Sequence, residues 1–281
     1  MGVETAGAPA GAGAEVTLAV RDTRSGARVA KDIITPAGSQ PVRVAALDLA
    51  DQDSVAAFTA RWTGPLHILV NNAGVMAPPE TRTAEDWELQ FATNHLGHFA
   101  LSTGLHPALK EARGARVVAV SSVGHVNSDI DFDDIHFQRR AYDKWLAYGQ
   151  SKTANILFAV EAAKRWAGDR IVVNALNPGR ITDTNLSRYI GDISAAPSSF
   201  DPTSTDVSWK DTAQGAATSV LLAGSPLVAE VTGRYFEDCH VAPPYVPGVR
   251  RGVADYALDG DNAARLWRMS LDMVRGTRSR P

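Results

Sequence analysis

Two spacings of apolar residues alternate along the chain. Short apolar runs are typical of buried strands, and longer stretches with apolar residues every three or four positions are typical of helices. Strands that alternate with helices favour one parallel sheet with helices on both faces, a doubly wound α/β fold. The predicted strands are 15–20, 42–47, 66–70, 116–120, 171–176 and 233–236, and the predicted helices include 23–34, 83–110, 147–166, 211–222 and 262–274.

Length and composition fit a single globular domain over residues 1–281. Of the 281 residues 44% are hydrophobic and 21% charged, which is ordinary for such a domain. The 28 Lys and Arg nearly balance the 31 Asp and Glu, so no basic surface predicts a nucleic-acid partner. The single cysteine, Cys239, excludes an internal disulfide and fits a reducing compartment. No apolar run approaches the ~20 residues of a membrane span, so we expect a soluble, cytoplasmic protein.

Tyr148 and Lys152 stand four residues apart in the predicted helix 147–166. They therefore point the same way, about one turn from each other. An ammonium beside a phenol favours the phenolate and lowers its pKa, so Tyr148 could exchange a proton near neutral pH. The pattern also arises by chance, so by itself it is a weak indication.

Small and polar residues follow three of the predicted strands. Asn71-Asn72-Ala73-Gly74 ends the run 66–70, Ser121-Ser122 ends 116–120, and Asn177-Pro178-Gly179 ends 171–176. Doubly wound sheets bind ligands at the carboxyl ends of their strands. A serine at a strand end is otherwise an ordinary turn former, so Ser122 gains weight only together with Tyr148.

The order of an apolar run ending in NNAG, an apolar run ending in SS, and Tyr-x-x-x-Lys resembles the short-chain dehydrogenase/reductase family. The segment 131–152, with FDD and RRAYDKWLAYGQSK, looks like the retinol-dehydrogenase-like branch, which neighbours the protochlorophyllide reductases. The resemblance covers roughly residues 3–238. It implies a Rossmann-like sheet and hydride transfer between a nicotinamide dinucleotide and a small alcohol or carbonyl compound.

The resemblance also implies catalytic roles for four residues. Tyr148 would be the general acid/base, and Lys152 would lower its pKa and bind the nicotinamide ribose. Ser122 would position the substrate oxygen, and Asn94 would hold a water of the proton relay at an irregularity of the helix 83–110. The family implies a substrate lid at about 186–210 and a homodimer or homotetramer, whereas the chain from about 240 is atypical.

For the cofactor, Arg21 and Asp22 stand where the adenosine ribose would lie. Since an arginine there accommodates a 2′-phosphate, NADP(H) is expected, with NAD(H) as the alternative. Asp48 would contact the adenine or, equally, cap the helix that begins near Asp51. The residues expected to bind the cofactor are Arg21, Asp48, Leu49, Asn72, Ala73, Gly74, Tyr148, Lys152, Pro178, Gly179, Ile181 and Thr182, with Thr184 competing for the place of Thr182.

The family's opening strand and T-G-x-x-x-G-x-G turn are not found before the predicted strand 15–20, and only Gly2 could stand for the last glycine. Either the natural protein begins upstream, or the chain is a degenerate copy that holds a dinucleotide poorly. The second explanation makes a non-catalytic scaffold or regulator the rival function.

Metal binding is not predicted. His95 and His98 lie three residues apart, but no Cys or carboxylate stands at ligand spacing. The carboxylates between 124 and 147 lack the spacing of a calcium loop, so this segment is expected to be a solvated loop.

Overall fold

The computed structural model describes residues 1–33, 35, 41–181, 184, 186, 188–189 and 209–278. The strands of the described chain are β1 (Thr17–Val20), β2 (Arg43–Ala46), β3 (Ile68–Asn71), β4 (Arg116–Val120), β5 (Val172–Asn177), β6 (Arg180–Ile181), β7 (Trp209–Lys210), β8 (Tyr235–Glu237) and β9 (His240–Val241). The helices are α1 (Gly2–Gly11), α2 (Thr23–Asp32), α3 (Gln52–Arg61), α4 (Leu89–Phe91), α5 (Gly97–Gly104), α6 (His106–Glu111), α7 (Lys144–Arg165), α8 (Thr212–Gly224) and α9 (Gly260–Arg278), with a π-helix at Ala92–Leu96.

The strands form one large sheet and two small ones. The large sheet has the order β3-β4-β5-β8-β9, in which only β9 runs antiparallel to its neighbour. β1 and β2 form a parallel pair of their own, as do β6 and β7. Each predicted strand is present within two residues of its expected bounds, and the doubly wound, Rossmann-like α/β fold is confirmed.

Both faces of the large sheet are covered. In β4, Val117 and Ala119 join the apolar cluster formed with α5 and α7, whereas Val118 and Val120 join the cluster formed with α8. Alternate residues of a strand point to opposite faces, so this strand is buried on both sides, as its continuous apolar run predicts.

Helix α7 lies at the centre of the packing and carries the predicted Tyr148 and Lys152. Its first turn is capped by Asp143, whose carboxylate accepts the backbone N–H groups of Trp145 (2.7 Å) and Leu146 (3.0 Å). The helix is buried without interruption from residue 147 to 163, because it packs between β4 and β5 on one side and α9 on the other. The backbone of the site is therefore fixed by the core.

The predicted helix 83–110 is shorter than expected and is interrupted. It begins at Leu89, after the capping residue Glu88, and the π-helix Ala92–Leu96 separates α4 from α5. One-turn π segments inside α-helices are frequent at functional sites. The irregularity implied by the family resemblance therefore occurs where Asn94 stands.

The segment between 124 and 147, expected to be a solvated loop, is solvated only in part, with Asp133, Gln138 and Arg139 exposed. The carboxylate of Asp134 accepts the backbone N–H groups of residues 138, 139 and 140 at 2.7–3.1 Å, so it organises the loop instead of facing water. Residues buried beneath the loop are Ile130, Ile135 and Phe137. The apolar residues between the carboxylates were the signal for this packing.

The chain opens with α1, which packs against α8 although Pro9 stands inside it. The predicted terminal helix is also present and longer than expected, as α9. None of the helices in the described ranges combines the length and the apolar content that crossing a membrane requires.

Candidate active site

The predicted site residues meet at one edge of the large sheet. β3, β4 and β5 are parallel and in register, so the loops that follow them start side by side. The loop after β4 carries Ser122, and α7 brings Tyr148 and Lys152 against it. The structure therefore brings together the serine, tyrosine and lysine that the sequence predicts.

Tyr148 is buried, with 3% of its surface exposed. Burial raises the pKa of Tyr148 to about 12, because the phenolate loses solvation, and a hydrogen bond with the Ser122 side chain acts in the opposite direction. The phenol is therefore protonated at neutral pH. In this state it can donate a proton to an oxygen that gains negative charge.

Lys152 is also buried, and burial lowers its pKa to about 8. Its Nζ donates a hydrogen bond to the carbonyl oxygen of Val120 (3.1 Å) and lies 5.6 Å from the ring centroid of Tyr148. The loss of solvation dominates at the phenol and raises its net pKa, and the expected effect of Lys152 on Tyr148 stays a prediction.

Ser122 and Ser121 have different environments. Ser122 is half-buried, and its Oγ accepts the backbone N–H of Gly124 at 3.0 Å. Ser121 is buried and donates to the carbonyl oxygen of Lys152 at 2.7 Å. Only Ser122 reaches Tyr148, so Ser121 is its packing neighbour, as the motif implied.

Asn94 is fully buried in the π-helix. Its Oδ1 accepts the backbone N–H of Val75 (2.8 Å), and its Nδ2 donates to the carbonyl oxygen of Val75 (2.9 Å) and to the Oγ of Ser151 (2.9 Å). The carbonyl oxygen of Asn94 accepts a hydrogen bond from Nδ1 of His98 (2.9 Å). Asn94 therefore ties the loop after β3 to α7, and its role in a proton relay stays a prediction.

The loop after β3 leaves space beside Lys152. A Cβ added to Gly74 would lie 3.0 Å from Oδ1 of Asn94 and 3.6 Å from Nζ of Lys152, so only a glycine leaves this space open. Next to it, Oδ1 of Asn72 is buried without a hydrogen-bond partner among the described residues, and Ala73 is exposed. An unpaired amide oxygen and a buried ammonium fit the ribose and carboxamide of a nicotinamide nucleotide.

The loop after β5 has a shape that requires glycine. Gly179 has a φ of +88° and donates its N–H to Oδ1 of Asn177 (3.1 Å), which closes a tight turn around Pro178. Pro178 and Gly179 are half-buried at the same sheet edge as Ser122. Both are therefore placed to contact a ligand there.

Ile181 follows in β6 and packs against Gly215 of α8, where an added Cβ would collide with its side chain. Ile181 is half-buried, so the structure gives it a packing role. Thr182 lies outside the described residues, and Thr184 is described and half-buried. Most of the predicted lid at about 186–210 also lies outside them.

Arg21 is exposed at the end of β1. Asp22 next to it caps α2, because its Oδ1 accepts the backbone N–H groups of Arg24 (3.0 Å) and Ser25 (3.1 Å). Hydrogen bonds from Ser25 also lower the pKa of this carboxyl. Asp22 is therefore engaged in the helix although it is exposed, whereas Arg21 next to it is exposed at the end of β1.

Of the two roles expected for Asp48, adenine contact and helix cap, the structure tests the second. The cap of α3 is Asp51, whose Oδ1 accepts the N–H groups of residues 53 (2.9 Å) and 54 (3.2 Å), so the reading of Asp48 as the helix cap is wrong. Asp48 accepts only the local N–H of Ala50 (3.0 Å). Leu49 is buried in the main core cluster, so its side chain has a packing role.

Two glycines of the site were missed as functional residues. A Cβ on Gly124 would lie 2.9 Å from Cε1 of Tyr148, and a Cβ on Gly149 would lie 2.9 Å from the carbonyl oxygen of Gly124. Glycine at both positions lets α7 approach the turn that carries Ser122. Gly149 directly follows Tyr148 and Gly124 comes two residues after Ser122, and these positions were the available signal.

The histidines of the HxxH pair are structural. Nε2 of His95 is 2.8 Å from the Oγ of Ser270, and His98 is bonded to Asn94. Burial lowers the pKa of His95 to about 3 and that of His98 to about 4, so both are neutral. No group of three or more His, Cys, Asp or Glu among the described residues is arranged to hold a metal ion.

Comparison with known proteins places this site in a family. The family model described as short chain dehydrogenase matches residues 1–193. A Streptomyces antibioticus protein named "Probable oxidoreductase" is 49% identical over 285 residues, which cover 98% of this chain and 94% of that protein. Retinol dehydrogenase 12 of Mus musculus is 37% identical, with 98% of this chain and 83% of that protein covered.

Comparison with solved structures leads to the same family. The crystal structure of an uncharacterized protein from Mycobacterium paratuberculosis matches with a TM-score of 0.74 and 34% identity, covering 98% of this chain and 89% of that chain. A complex of Pseudomonas aeruginosa RhlG with NADP at its active site matches with a TM-score of 0.63 and 25% identity, covering 83% of this chain and 88% of that chain. The resemblance read from the sequence is therefore confirmed, including the retinol-dehydrogenase-like branch.

Proposed function

This chain belongs to the short-chain dehydrogenase/reductase family, and on that premise we propose that it transfers a hydride between NADP(H) and an alcohol or carbonyl compound. Its relatives support an NAD(P)-dependent dehydrogenase or reductase activity. The observation that carries the finer proposal is the contact of Ser122 with the buried Tyr148, one helical turn from the buried Lys152. Two ionisable side chains buried at the edge of the sheet favour a catalytic function over that of a scaffold.

In the reducing direction, the bound dinucleotide would supply the hydride to the carbonyl carbon. Ser122 would donate a hydrogen bond to the carbonyl oxygen and stabilise its developing charge. Tyr148 would then give its proton to that oxygen as the general acid. Lys152, beside the open space at Gly74, would bind the nicotinamide ribose.

The wall next to Tyr148 supports a substrate that has an apolar group near its carbonyl. Met76 and Ala77 are buried against Tyr148, and Trp145 and Leu186 pack on the same cluster. Apolar surface that lines a reactive group favours burial of an apolar substrate portion over a charged one.

For the cofactor, the proposal is NADP(H) in preference to NAD(H). Arg21 is exposed at the end of β1, where a guanidinium can bind a 2′-phosphate, whereas Asp22 is engaged as a helix cap. The NADP complex of RhlG shows that a structural relative binds this cofactor.

A non-catalytic scaffold or regulator is the second candidate. It is favoured by the pairing of β1 with β2 apart from the large sheet among the described residues. A Cβ on Gly2 would lie 3.0 Å from Nδ2 of Asn72, so α1 starts close to the loop after β3. The described residues thus fit the nicotinamide end of the cofactor better than the diphosphate.

The test is oxidation of NADPH, and separately of NADH, with a panel of aromatic and aliphatic aldehydes. Tyr148→Phe should retain the fold and lower kcat/KM by at least ~10²-fold, the low end for general acid–base catalysis. Tyr245→Phe, which removes a hydroxyl outside the Ser122–Tyr148–Lys152 group, is the control. Equal turnover by parent and Tyr148→Phe would refute the role of Tyr148, and a parent without turnover would favour the scaffold.

A further inference from the structure

The segment after β9 reaches back to the site through buried side chains. The N–H of Gly252 donates to Oε2 of Glu237 at 2.8 Å, and the N–H of Ala254 donates to Nε2 of His125 at 3.2 Å. The hydroxyl of Tyr256 donates to the carbonyl oxygen of His125 at 2.7 Å. We call residues 252–256 the strap.

His125 is the residue that the strap holds at two points, once at its ring and once at its backbone carbonyl. It is fully buried, three residues after Ser122 in the 3₁₀ turn Val123–Asn127. A backbone N–H can only donate, so Nε2 of His125 accepts from Ala254 and the ring proton is on Nδ1. Nδ1 lies 2.7 Å from the carbonyl oxygen of Ser122 and therefore donates to it. The ring packs edge-on against Tyr235, with centroids 4.9 Å apart.

The ring stays in this state over the working pH range. Burial lowers the pKa of His125 to about 4, so it is neutral at pH 6 and above. Both nitrogens are then used, one as the donor to the serine turn and the other as the acceptor for the strap. A polar group that is satisfied on both sides in a buried site fixes the elements that it joins.

The turn held by His125 sets the geometry of the reactive hydroxyls. Ser122 Oγ accepts the N–H of Gly124, and Gly124 lies against the ring of Tyr148, where an added Cβ would be 2.9 Å from Cε1. A displacement of this turn would therefore change the contact between Ser122 and Tyr148. The sequence offered no sign of this, because the strap is about 130 residues away in the chain.

We propose that His125 is a positioning residue that couples the strap to the turn carrying Ser122 and so maintains the placement of Ser122 against Tyr148. The proposal rests on the proposed function as far as rates are concerned. The geometry itself does not depend on turnover.

Three substitutions separate the two hydrogen bonds of the ring. His125→Asn places an amide near the position of Nδ1, so it retains the donor to Ser122 and loses the acceptor for Ala254. His125→Gln reaches the position of Nε2, so it retains the acceptor and loses the donor. His125→Ala removes both. Trp267→Leu, in the core formed by α7 and α9, is the control for a general loss of stability.

The experiment measures kcat and KM for benzaldehyde with NADPH, melting temperatures, and crystal structures of the parent and His125→Ala. His125→Ala should lower kcat by up to ~10²-fold, as expected for a reactive group misplaced by about 1 Å, with the KM for NADPH within about twofold of the parent. His125→Asn should recover most of kcat, and His125→Gln should not. Trp267→Leu should lower the melting temperature and leave kcat unchanged.

An unchanged kcat in His125→Ala, with only a lower melting temperature, would overturn the proposal, as would recovery by His125→Gln in place of His125→Asn. If the parent has no turnover, the proposed function fails and the crystal structures decide the inference alone. The distance between Oγ of Ser122 and the hydroxyl of Tyr148 should then be longer in His125→Ala than in the parent. Equal distances in the two structures would refute the coupling.

Discussion

The two parts of the sheet differ in how their strands are held. Within the described chain β1 pairs with β2 alone, and every residue of β1 is half-buried. In the large sheet β5 has neighbours on both sides, and five of its six residues are buried. The Ser122–Tyr148–Lys152 group stands on the well-buried part, whereas Arg21 and Asp48 stand on the loosely held pair.

This difference separates two kinds of function in the fold. A proton transfer needs side chains held to a fraction of an ångström, and the core around β4, β5 and α7 provides that. The β1–β2 pair is tied to the rest through the packing of α3 against α5. Under the proposed function its residues would contact the adenosine end of the dinucleotide, where affinity matters more than exact placement.

A matched pair of leucines tests the comparison directly. Leu176 in β5 is fully buried, and Leu18 in β1 is half-buried. Leu176→Ala should lower the free energy of unfolding by about 2–5 kcal/mol, because it removes buried contacts and leaves a cavity. Leu18→Ala should cost about 1 kcal/mol or less, since part of the side chain already faces solvent.

The measurement is urea unfolding followed by circular dichroism, with m-values compared between the two variants. Equal losses of unfolding free energy in the two variants would show that β1 is as tightly packed as β5. The two parts of the sheet would then not differ in how their strands are held.

The sequence predicted best what depends on local pattern. The strands appear as continuous apolar runs, and Tyr148 and Lys152 share a helix, so fold and reactive group could both be predicted. The capping of α3 by Asp51 instead of Asp48 was a local choice between two aspartates, which the pattern left open.

Long-range contacts explain what the sequence did not predict. The raised pKa of Tyr148 comes from burial under neighbouring elements, which the local spacing of Tyr148 and Lys152 does not indicate. The family resemblance alone implied a helix irregularity at Asn94, and the bonds of Asn94 to Val75 and Ser151 join residues distant in the sequence. The hydrogen bond between the strap and His125 joins residues about 130 positions apart in the chain. No local sequence motif therefore indicates it.

Low pH should lower the free energy of unfolding through histidines in the well-buried part of the sheet. His95, His98 and His125 are buried there, with pKa values lowered to about 3, 4 and 4. In the unfolded chain a histidine has a pKa of about 6.5, so between about pH 4 and 6.5 the unfolded state binds more protons. Stability is therefore lost as the pH falls, by about 1.4 kcal/mol per pH unit and histidine.

Glu88 acts in the opposite direction. Burial raises its pKa to about 7, so between about pH 4.5 and 7 the folded state binds the extra proton and offsets one histidine. His136, whose pKa is also lowered to about 4, adds to the histidines, and the raised pKa values of Glu237 and Asp129 act with Glu88. The net expectation is a loss of stability as the pH falls below about 6.5. Urea unfolding at pH 7.5, 6.0 and 5.0 measures it, and a stability that is constant or rises toward pH 5.0 would contradict the neutral state of these rings.

The smallest effect concerns Asp51 and Asp48 at the end of the β1–β2 pair. Asp51→Ala should lower stability by about 1 kcal/mol, because two N–H groups at the start of α3 lose their acceptor. Asp48→Ala should cost less, since only the N–H of Ala50 is involved. If Asp48 contacts the adenine, its loss should instead raise the Kd for NADPH, measured by fluorescence titration, while Asp51→Ala leaves that Kd unchanged. A Kd that neither substitution moves would remove Asp48 from the cofactor site and leave the loosely held pair with Arg21 as its proposed contact.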